Sequence, residues 1–257
     1  MTRFMANFDV VPRMIQLAVV GGLFLLWWMA NHAGWVAPFF LPPPGAVFAA
    51  LGDILSTGAF VKPLLTTAYE LVWAFLIAAV LGWTVGYLVS RTRYSVNVME
   101  PIFAAIFTIP AILFYPLYVL IFGVGPESKI AIGATIAFFP IVLSTISGLS
   151  YVNKTYVNAA RSMGASQRQL FFSVMLPAAA PVLVTGLRIG CTLGYLVILG
   201  AETLTARDGL GRQIVTHAER MNIVNMYAFI FIALTISLLF TFLLSTLENL
   251  VVKRLQS

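Results

Sequence analysis

The chain has 257 residues, of which 60% are hydrophobic and 9% are charged. Soluble domains carry about 25% charged residues, so the composition excludes an ordinary soluble domain and indicates a protein of the lipid bilayer. The net charge of +6 does not indicate nucleic-acid binding, because the basic residues lie beside apolar segments, as the positive-inside rule expects. The single cysteine, Cys191, excludes an internal disulfide, and two distant histidines give no basis for a metal site.

Six apolar runs approach or exceed the length of about 20 residues that a helix needs to cross a bilayer. They are Met14–Ala30, Leu64–Val89, Val98–Phe122, Ile130–Leu149, Val182–Ala201 and Met226–Leu247. Arg3 and Arg13 precede the first run, as in a signal peptide, but no A-x-A-like cleavage site follows. We therefore expect a retained first helix and an all-α membrane protein with six transmembrane helices.

The Lys and Arg residues of the loops predict the orientation. With a cytoplasmic amino terminus, the inner side holds nine of them: Arg3, Arg13, Arg91, Arg93, Lys154, Arg161, Arg168, Lys253 and Arg254. The outer side holds five, namely Lys62, Lys129, Arg207, Arg212 and Arg220. Because inner loops carry the excess of positive charge, we expect both termini in the cytoplasm.

The segment between the first two spans is too polar and too rich in proline to cross the membrane. Phe39–Pro44 predicts a stiff extended piece, because proline fixes the backbone. Apolar residues then recur at helical spacing: Val47, Phe48, Leu51, Ile54 and Leu55. We expect residues 1–60 to form the first span and an amphipathic helix on the outer face of the membrane.

The second span contains one charged residue, Glu70, and a pair of glycines, Gly82 and Gly86. The glycines have small-x-x-x-small spacing, which we expect to allow close helix packing within one subunit. A charge at the bilayer centre costs about 2.5–3.5 kcal/mol on insertion scales, so such a residue is normally buried in protein or faces water. Two interpretations of Glu70 stay open: a place in a translocation pathway, or a position at the lipid headgroups.

The third span contains Pro110 and Pro116, with Tyr115 and Tyr118 beside them. An interior proline removes a backbone hydrogen bond, which a membrane helix tolerates when neighbours or water satisfy the freed carbonyl. A bent helix that lines a cavity and a purely structural kink are both compatible with this pattern.

The turn before the fourth span is rich in glycine and ends at Lys129. It lacks a Walker A pattern, because Ser128 precedes the lysine and Ile130 follows it. We expect an external turn here, and no nucleotide site on this chain.

The fifth span carries Arg188, Tyr195 and, at its outer end, Glu202. Arg188 lies close enough to the inner surface for its charge to reach the headgroups; alternatively it faces the interior and holds an anion or an acidic side chain. The loop that follows predicts a turn at 208–211. An ordinary solvated loop and a docking surface for a partner are both open for its polar residues, Arg212, His217, Glu219 and Arg220.

The polar segment between the fourth and fifth spans predicts a helix, a turn and a second helix. Asn153 has the position of a cap for a helix over residues 154–163, and Gly164 supplies a left-handed stop. Ser166 and Gln169 have the spacing of a capping box. We expect Pro177 to end or kink the second helix.

The same segment resembles the EAA loop of the membrane subunits of binding-protein-dependent ABC importers. The family pattern is Glu-Ala-Ala-x3-Gly-x9-Ile-x-Leu-Pro, and Ala159, Ala160, Gly164 and Leu176–Pro177 match it in spacing. The chain departs from the pattern at Asn158, where the family has Glu, and at Val174, where it has Ile. The proline-rich piece at 41–44 and the stretch 109–130 also resemble the aliphatic sulfonate, taurine and nitrate branch of these permeases.

The resemblance implies a type I ABC importer permease fold, with a core over residues 61–250, a coupling loop at 153–177 and a cytoplasmic tail at 251–257. Its implied partners are two copies of an ATP-binding subunit, a second permease subunit in a homodimer, and an extracytoplasmic solute-binding protein. ATP and magnesium would bind the ATP-binding subunit, and this chain would carry no cofactor. The cargo would be a small anion such as a sulfonate or nitrate, moved across the bacterial inner membrane.

Two sets of site residues follow. The coupling residues that the resemblance implies are Asn158, Ala159, Ala160, Arg161, Gly164, Arg168, Leu176 and Pro177. The candidate pathway residues are Glu70, Pro110, Tyr115, Tyr118, Arg188, Tyr195 and Glu202. The alternative function is a self-sufficient secondary transporter or channel, which we disfavour because the sequence shows few buried charges and no second half. An intramembrane enzyme has no nucleophile–base or metal constellation to support it.

Overall fold

The computed structural model describes the backbone of residues 2–256 and the side chains of residues 14–246 and 248. The regular secondary structure of that range is entirely helical and contains no strand. The helices are α1 (Thr2–His32), α2 (Pro44–Thr57), α3 (Val61–Ser90), α4 (Arg93–Phe107), α5 (Tyr115–Phe122), α6 (Pro126–Ser150), α7 (Lys154–Ser162), α8 (Gln167–Gln169), α9 (Leu176–Thr205), α10 (Leu210–Glu219) and α11 (Ile223–Gln256). A 3₁₀ turn (Ala111–Phe114) precedes α5, and a π-helical segment (Leu170–Met175) joins α8 to α9. The side chains of Arg3, Arg13, Lys253 and Arg254, which entered the orientation prediction, lie outside the described residues.

Five stretches of the described chain are long and apolar enough to cross a membrane, and a sixth arises if a bent pair of helices counts as one span. The bent pair is the third predicted run, which is broken rather than continuous: α4 and the helical stretch Ala111–Phe122 meet at 74°. The break falls at Pro110, whose backbone is extended and which has no N–H to continue the ladder. The bend expected in this run is present at Pro110, and it takes the form of a break between two helices instead of one bent helix.

Three helices form the centre of the bundle, with α6 packed between α3 and α9. Gly82 of α3 faces α6 so closely that an added Cβ would lie 2.7 Å from Ile141 Cγ2. Gly190 of α9 approaches α6 from the other side, where an added Cβ would lie 2.7 Å from the Ala137 carbonyl oxygen. The expected close packing of the α3 glycines within one subunit is confirmed, since Gly86 likewise contacts Val142 and Thr145 of α6.

The helix predicted after the proline-rich piece is present as α2, and it packs against α11. Ile54 of α2 shares an apolar cluster with Leu210, Ala228, Phe229 and Ile232. Two hydrogen bonds from α1 hold the proline-rich piece in place. Trp27 Nε1 donates to the Pro42 carbonyl at 3.1 Å, and Asn31 Nδ2 donates to the Leu41 carbonyl at 2.7 Å.

The helix that begins at Gln167 does not end at Pro177, so of the two predicted outcomes, an end or a kink, the end is wrong. The π-helical segment changes the hydrogen-bond spacing ahead of the proline, and the Leu176 N–H donates to the Phe171 carbonyl, five residues earlier. Because the wider turn removes the regular i to i−4 pattern at the point where Pro177 lacks an N–H, the helix continues into α9. The second helix of the polar segment and the fifth span are thus one continuous helix.

Candidate functional site

Residues 153–177, the coupling segment from here on, lie at the end of the bundle where α6 ends and α9 begins. Asn153 caps α7 by accepting a hydrogen bond from the Thr155 N–H at 2.9 Å. Gly164 has φ +79°, the left-handed conformation in which glycine is favoured. Gly164 N–H donates to the Arg161 carbonyl at 2.9 Å and Ala165 N–H to the Ala160 carbonyl at 3.0 Å, which is a Schellman ending. Both predicted signals for the first helix are confirmed.

The second helix of the segment begins with the predicted capping box. Gln169 N–H donates to Ser166 Oγ at 3.3 Å, and Ser166 N–H donates to Gln169 Oε1 at 2.9 Å. Both bonds join residues three apart, so they form without help from the rest of the fold.

The coupling segment is attached to the bundle through its second helix. Leu170 is buried, and the Phe171 ring meets the Tyr87 ring of α3 edge-on with centroids 5.1 Å apart. Phe171 and Leu176 pack against an apolar cluster of Leu149, Ala179 and Leu183. The first helix, α7, buries no residue of its own.

The face of α7 that carries the EAA-like residues is exposed and borders a cavity of about 610 Å³. Residues that line the cavity include Tyr156, Ala159, Ala160, Met163, Val174 and Pro177. Asn158, Arg161 and Arg168 are also exposed, and Leu176 is half-buried. Two small alanines beside exposed Tyr156 and Met163 give an apolar recess that a side chain from another protein can enter.

A second polar site, the Glu202 cluster, lies at the opposite end of α9 and consists of Thr67, Glu70, Lys129, Glu202 and the Leu210–Gly211 backbone. Glu202 accepts hydrogen bonds from Thr67 Oγ1 at 2.6 Å and from the Gly211 N–H at 2.7 Å. Thr67 Oγ1 in turn accepts from the Leu210 N–H at 3.0 Å. An added Cβ on Gly211 would lie 2.8 Å from Glu202 Cβ, so only glycine lets the turn approach the carboxylate.

Two charged side chains of the cluster form an ion pair that is shut off from solvent. Lys129 Nζ lies 3.1 Å from Glu70 Oε1 and donates to the Gly125 carbonyl at 2.9 Å. Glu70 is 0% exposed and Lys129 is 2% exposed. The Glu70 side chain is therefore enclosed by protein, and Lys129 lies in the first turn of α6, which begins at Pro126, instead of in an external turn.

The other pathway candidates are mostly bonded to neighbouring helices. Tyr115 and Tyr195 are buried; Tyr115 hydroxyl lies 2.8 Å from Thr205 Oγ1, and Tyr195 hydroxyl donates to the Ala233 carbonyl at 3.0 Å. Tyr118 donates to Thr135 Oγ1 at 2.9 Å and borders an apolar cavity of about 680 Å³ between α3, α5 and α6. Pro110 is exposed at the break after α4. A pathway role for these residues stays a prediction.

Arg188 pairs with an acidic residue, which is one of the two interpretations that its sequence position allowed. Its Nε lies 2.8 Å from Glu248 Oε2, and Thr185 Oγ1 donates to Glu248 Oε1 at 2.5 Å. One carboxylate of α11 thus contacts two residues of α9 that lie about one helical turn apart, near the coupling segment. Glu248 was not among the residues predicted from the sequence, because its partner Arg188 lies 60 residues away in an apolar helix.

The loop after α9 is a turn followed by a helix. Gly209 has φ +121°, and Asp208 pairs with Lys62 of α3 at 2.9 Å. On α10, Arg212 and Glu219 approach to 3.6 Å, and the His217 ring stacks on Phe229. A docking role for this surface stays a prediction.

The chain as a whole has the architecture of a membrane permease. An inward-facing structure of the methionine ABC transporter MetNI superposes with a TM-score of 0.63 at 21% identity, covering 75% of this chain and 95% of that one. The likeness shows the fold, which is that of a type I ABC importer permease.

The sequence comparisons identify the family. Residues 78–257 match the family described as "Binding-protein-dependent transport system inner membrane component". The taurine transport system permease protein TauC of Escherichia coli is 30% identical, over 80% of this chain and 76% of TauC. The formylaminopyrimidine transport permease protein ThiX of Halalkalibacterium halodurans is 32% identical, over 83% of this chain and 85% of ThiX. The chain belongs to this family, in the branch that includes TauC.

Family membership decides between the functions that the sequence left open. The chain is an inner-membrane permease subunit of an ABC import system, and the energy for transport comes from ATP hydrolysis on a separate subunit. It is not itself catalytic. The self-sufficient carrier is set aside, although the buried Glu70–Lys129 pair is the kind of feature such a carrier would have.

Proposed function

We propose that the coupling segment binds the ATP-binding subunit and transmits its movement to the translocation pathway. The observation that carries the proposal is that the EAA-like face of α7 is exposed on a capped helix–turn–helix whose second helix continues into α9. Because α9 runs unbroken to the Glu202 cluster, a displacement of the coupling segment is passed to the opposite end of the bundle. Asn158, Ala159 and Ala160 form the contact surface, and Gly164 permits the turn.

We propose the following assembly. Two copies of this chain form the pathway between them, each bound to one of two ATP-binding subunits, and a solute-binding protein docks at the end that holds the Glu202 cluster. The coupling segment and both termini lie on the cytoplasmic side, which agrees with the excess of Lys and Arg there. ATP and magnesium bind the partner subunit, and this chain needs no cofactor. Closure of the ATP-binding subunits switches the pathway from inward to outward facing, and hydrolysis resets it.

The cargo we propose is a small organic anion such as a sulfonate. The name of TauC supports this class. A cavity of about 390 Å³ at the Glu202-cluster end is lined by Lys62 and Lys129, which pair with Asp208 and Glu70 of the same lining, and by Arg207, which has no ionic partner among the described side chains. Since ThiX is similarly close to this chain, the test compares both classes of cargo. The reconstituted complex is supplied with its binding protein and either taurine or a formylaminopyrimidine, and the expected result is ATPase stimulation by taurine alone.

The coupling role is tested with Gly164→Asp, which forces a side chain into the left-handed conformation at φ +79°. We expect purified complexes of the variant to lose at least about tenfold in transport, because the contact surface of α7 is tilted away and gains a charge. Transport and ATP hydrolysis are measured in proteoliposomes with the loaded binding protein.

The chain offers a matched control in Gly34→Asp. Gly34 ends α1 with φ +69°, its N–H donates to the Asn31 carbonyl at 3.2 Å, and neither glycine has an atom within 4 Å of an added Cβ. Gly34→Asp introduces the same strain and charge far from the coupling segment, so we expect nearly normal transport. Normal transport in Gly164→Asp, or equal loss in both variants, would contradict the assignment.

A further inference from the structure

The charge of the coupling segment has one sign only. Residues 153–177 contain Lys154, Arg161 and Arg168 and no Asp or Glu. All three cationic side chains are exposed. Among the side chains that the structure describes, none of the three lies in an ion pair. Within the described residues, the segment therefore presents three exposed positive charges without an ionic partner, two of them on the face of α7 opposite the apolar recess.

The residue at position 158 explains why Lys154 and Arg161, the two cations of α7, have no ionic partner among the described side chains. Residues three and four apart lie on the same face of a helix, so residue 158 is a neighbour of both Lys154 and Arg161. A glutamate there would form pairs with one or both cations, whereas Asn158 cannot. The residue that departs from the family pattern is thus the one that leaves the surface uniformly positive.

The charge of Arg168 does not stabilise the helix that carries it. It is the second residue of the continuous helix that begins at Gln167, where unpaired backbone N–H groups already create positive potential. A cation in this first turn destabilises the helix instead of stabilising it. Helix stability therefore does not account for this cation, and its exposed charge is available to a negative partner outside this chain.

We propose that the ATP-binding subunit of this transporter offers an apolar groove rimmed by Asp or Glu side chains, which pair with Arg161 and Arg168, and that this charge match selects the partner. This proposal rests on the coupling role proposed above. The recess bordered by Tyr156, Ala159, Ala160 and Met163 takes an apolar side chain of the groove, while Arg161, on the opposite face of α7, and Arg168 meet its rim. A wrong ATP-binding subunit with basic residues at the rim is repelled.

The test measures binding of the purified ATP-binding subunit to the permease held in nanodiscs of uncharged phosphatidylcholine. Charge reversal in the double variant Arg161→Glu, Arg168→Glu is expected to weaken binding about tenfold or more, and added salt to weaken wild-type binding. Asn158→Glu is expected to weaken binding as well, because the new carboxylate neutralises Lys154 and Arg161. Replacing the rim carboxylates of the partner with lysine restores binding to the charge-reversed permease.

The control is Arg91→Glu, Arg93→Glu, which reverses two exposed cations between α3 and α4, at the same end of the bundle but outside the segment. It is expected to bind as the wild type does.

Salt-independent binding, unchanged binding of the Arg161/Arg168 variant, or tighter binding of Asn158→Glu would overturn the charge match and leave the coupling role intact. Loss of binding that appears only in anionic lipid would identify lipid headgroups as the occupant instead. No binding by the wild type would overturn the coupling role itself.

Discussion

The two ends of α9 are built in opposite ways. At the Glu202 cluster, charged and polar groups from α3, α6, α9 and the turn before α10 are buried and bonded to one another. At the coupling segment, the polar groups are exposed, the caps join residues two or three apart, and the cations have no described ionic partner. The comparison indicates that one end fixes helices relative to each other, while the other end is left free to bind a separate protein.

The largest effect in this comparison is expected for Glu202→Ala. The change leaves the Gly211 N–H and the Thr67 hydroxyl without their partner inside the bundle, and each lost hydrogen bond to a charged group costs about 1.5–3 kcal/mol. We expect the free energy of unfolding to fall by about 3–5 kcal/mol. Thermal unfolding in mild detergent measures the change.

A carboxylate on α10 provides the control for this prediction. Glu219→Ala removes an exposed group whose nearest cation, Arg212, is 3.6 Å away, so the loss should stay below about 1 kcal/mol. If Glu202→Ala unfolds at the same temperature as Glu219→Ala, the Glu202 cluster does not hold the helices together.

A more specific effect of similar size is expected at the buried ion pair. Lys129→Met alone leaves Glu70 buried without its counter-charge, and removal of one partner from a buried pair costs about 3–5 kcal/mol. The double variant Glu70→Gln, Lys129→Met carries no buried charge at these positions and should recover about half of that loss or more. The unfolding transitions of Lys129→Met, of the single variant Glu70→Gln and of the double variant, compared with wild type, form a double-mutant cycle. Additive losses would show that the two groups do not interact.

The same contrast explains what the sequence could predict. The coupling segment was predictable in detail, because Asn153, Gly164 and the Ser166–Gln169 box act on residues within a few positions along the chain. The Glu202 cluster was not, since Thr67 and Glu202 are 135 residues apart and only the packing of α3, α6 and α9 brings them together. Length and hydropathy predict the spans. They do not predict that the third span breaks at Pro110, because the break depends on how neighbouring helices pack against the two halves of that span.

The failure at Pro177 has a related cause. A proline in a helix removes one hydrogen bond, and whether the helix ends there depends on whether the preceding turn can widen. Here Leu170 and Phe171 are held by packing against the bundle, which keeps the chain helical through the π segment. The local sequence shows where the proline lies, but the tertiary contacts determine whether the helix ends there.

The smallest effect is expected for Ser166→Ala, which removes one half of the capping box. The Gln169 N–H loses its acceptor, which destabilises the start of the helix by about 1 kcal/mol and leaves the rest of the bundle unchanged. Hydrogen exchange should therefore speed up about fivefold at the amides of residues 167–170, while exchange within α6 and the thermal unfolding temperature stay as in wild type. Ser166→Asp retains an acceptor at the cap and should restore slow exchange. Faster exchange that spreads into α9 beyond Pro177 would contradict the comparison, because it would mean that the coupling segment and the bundle unfold as one unit.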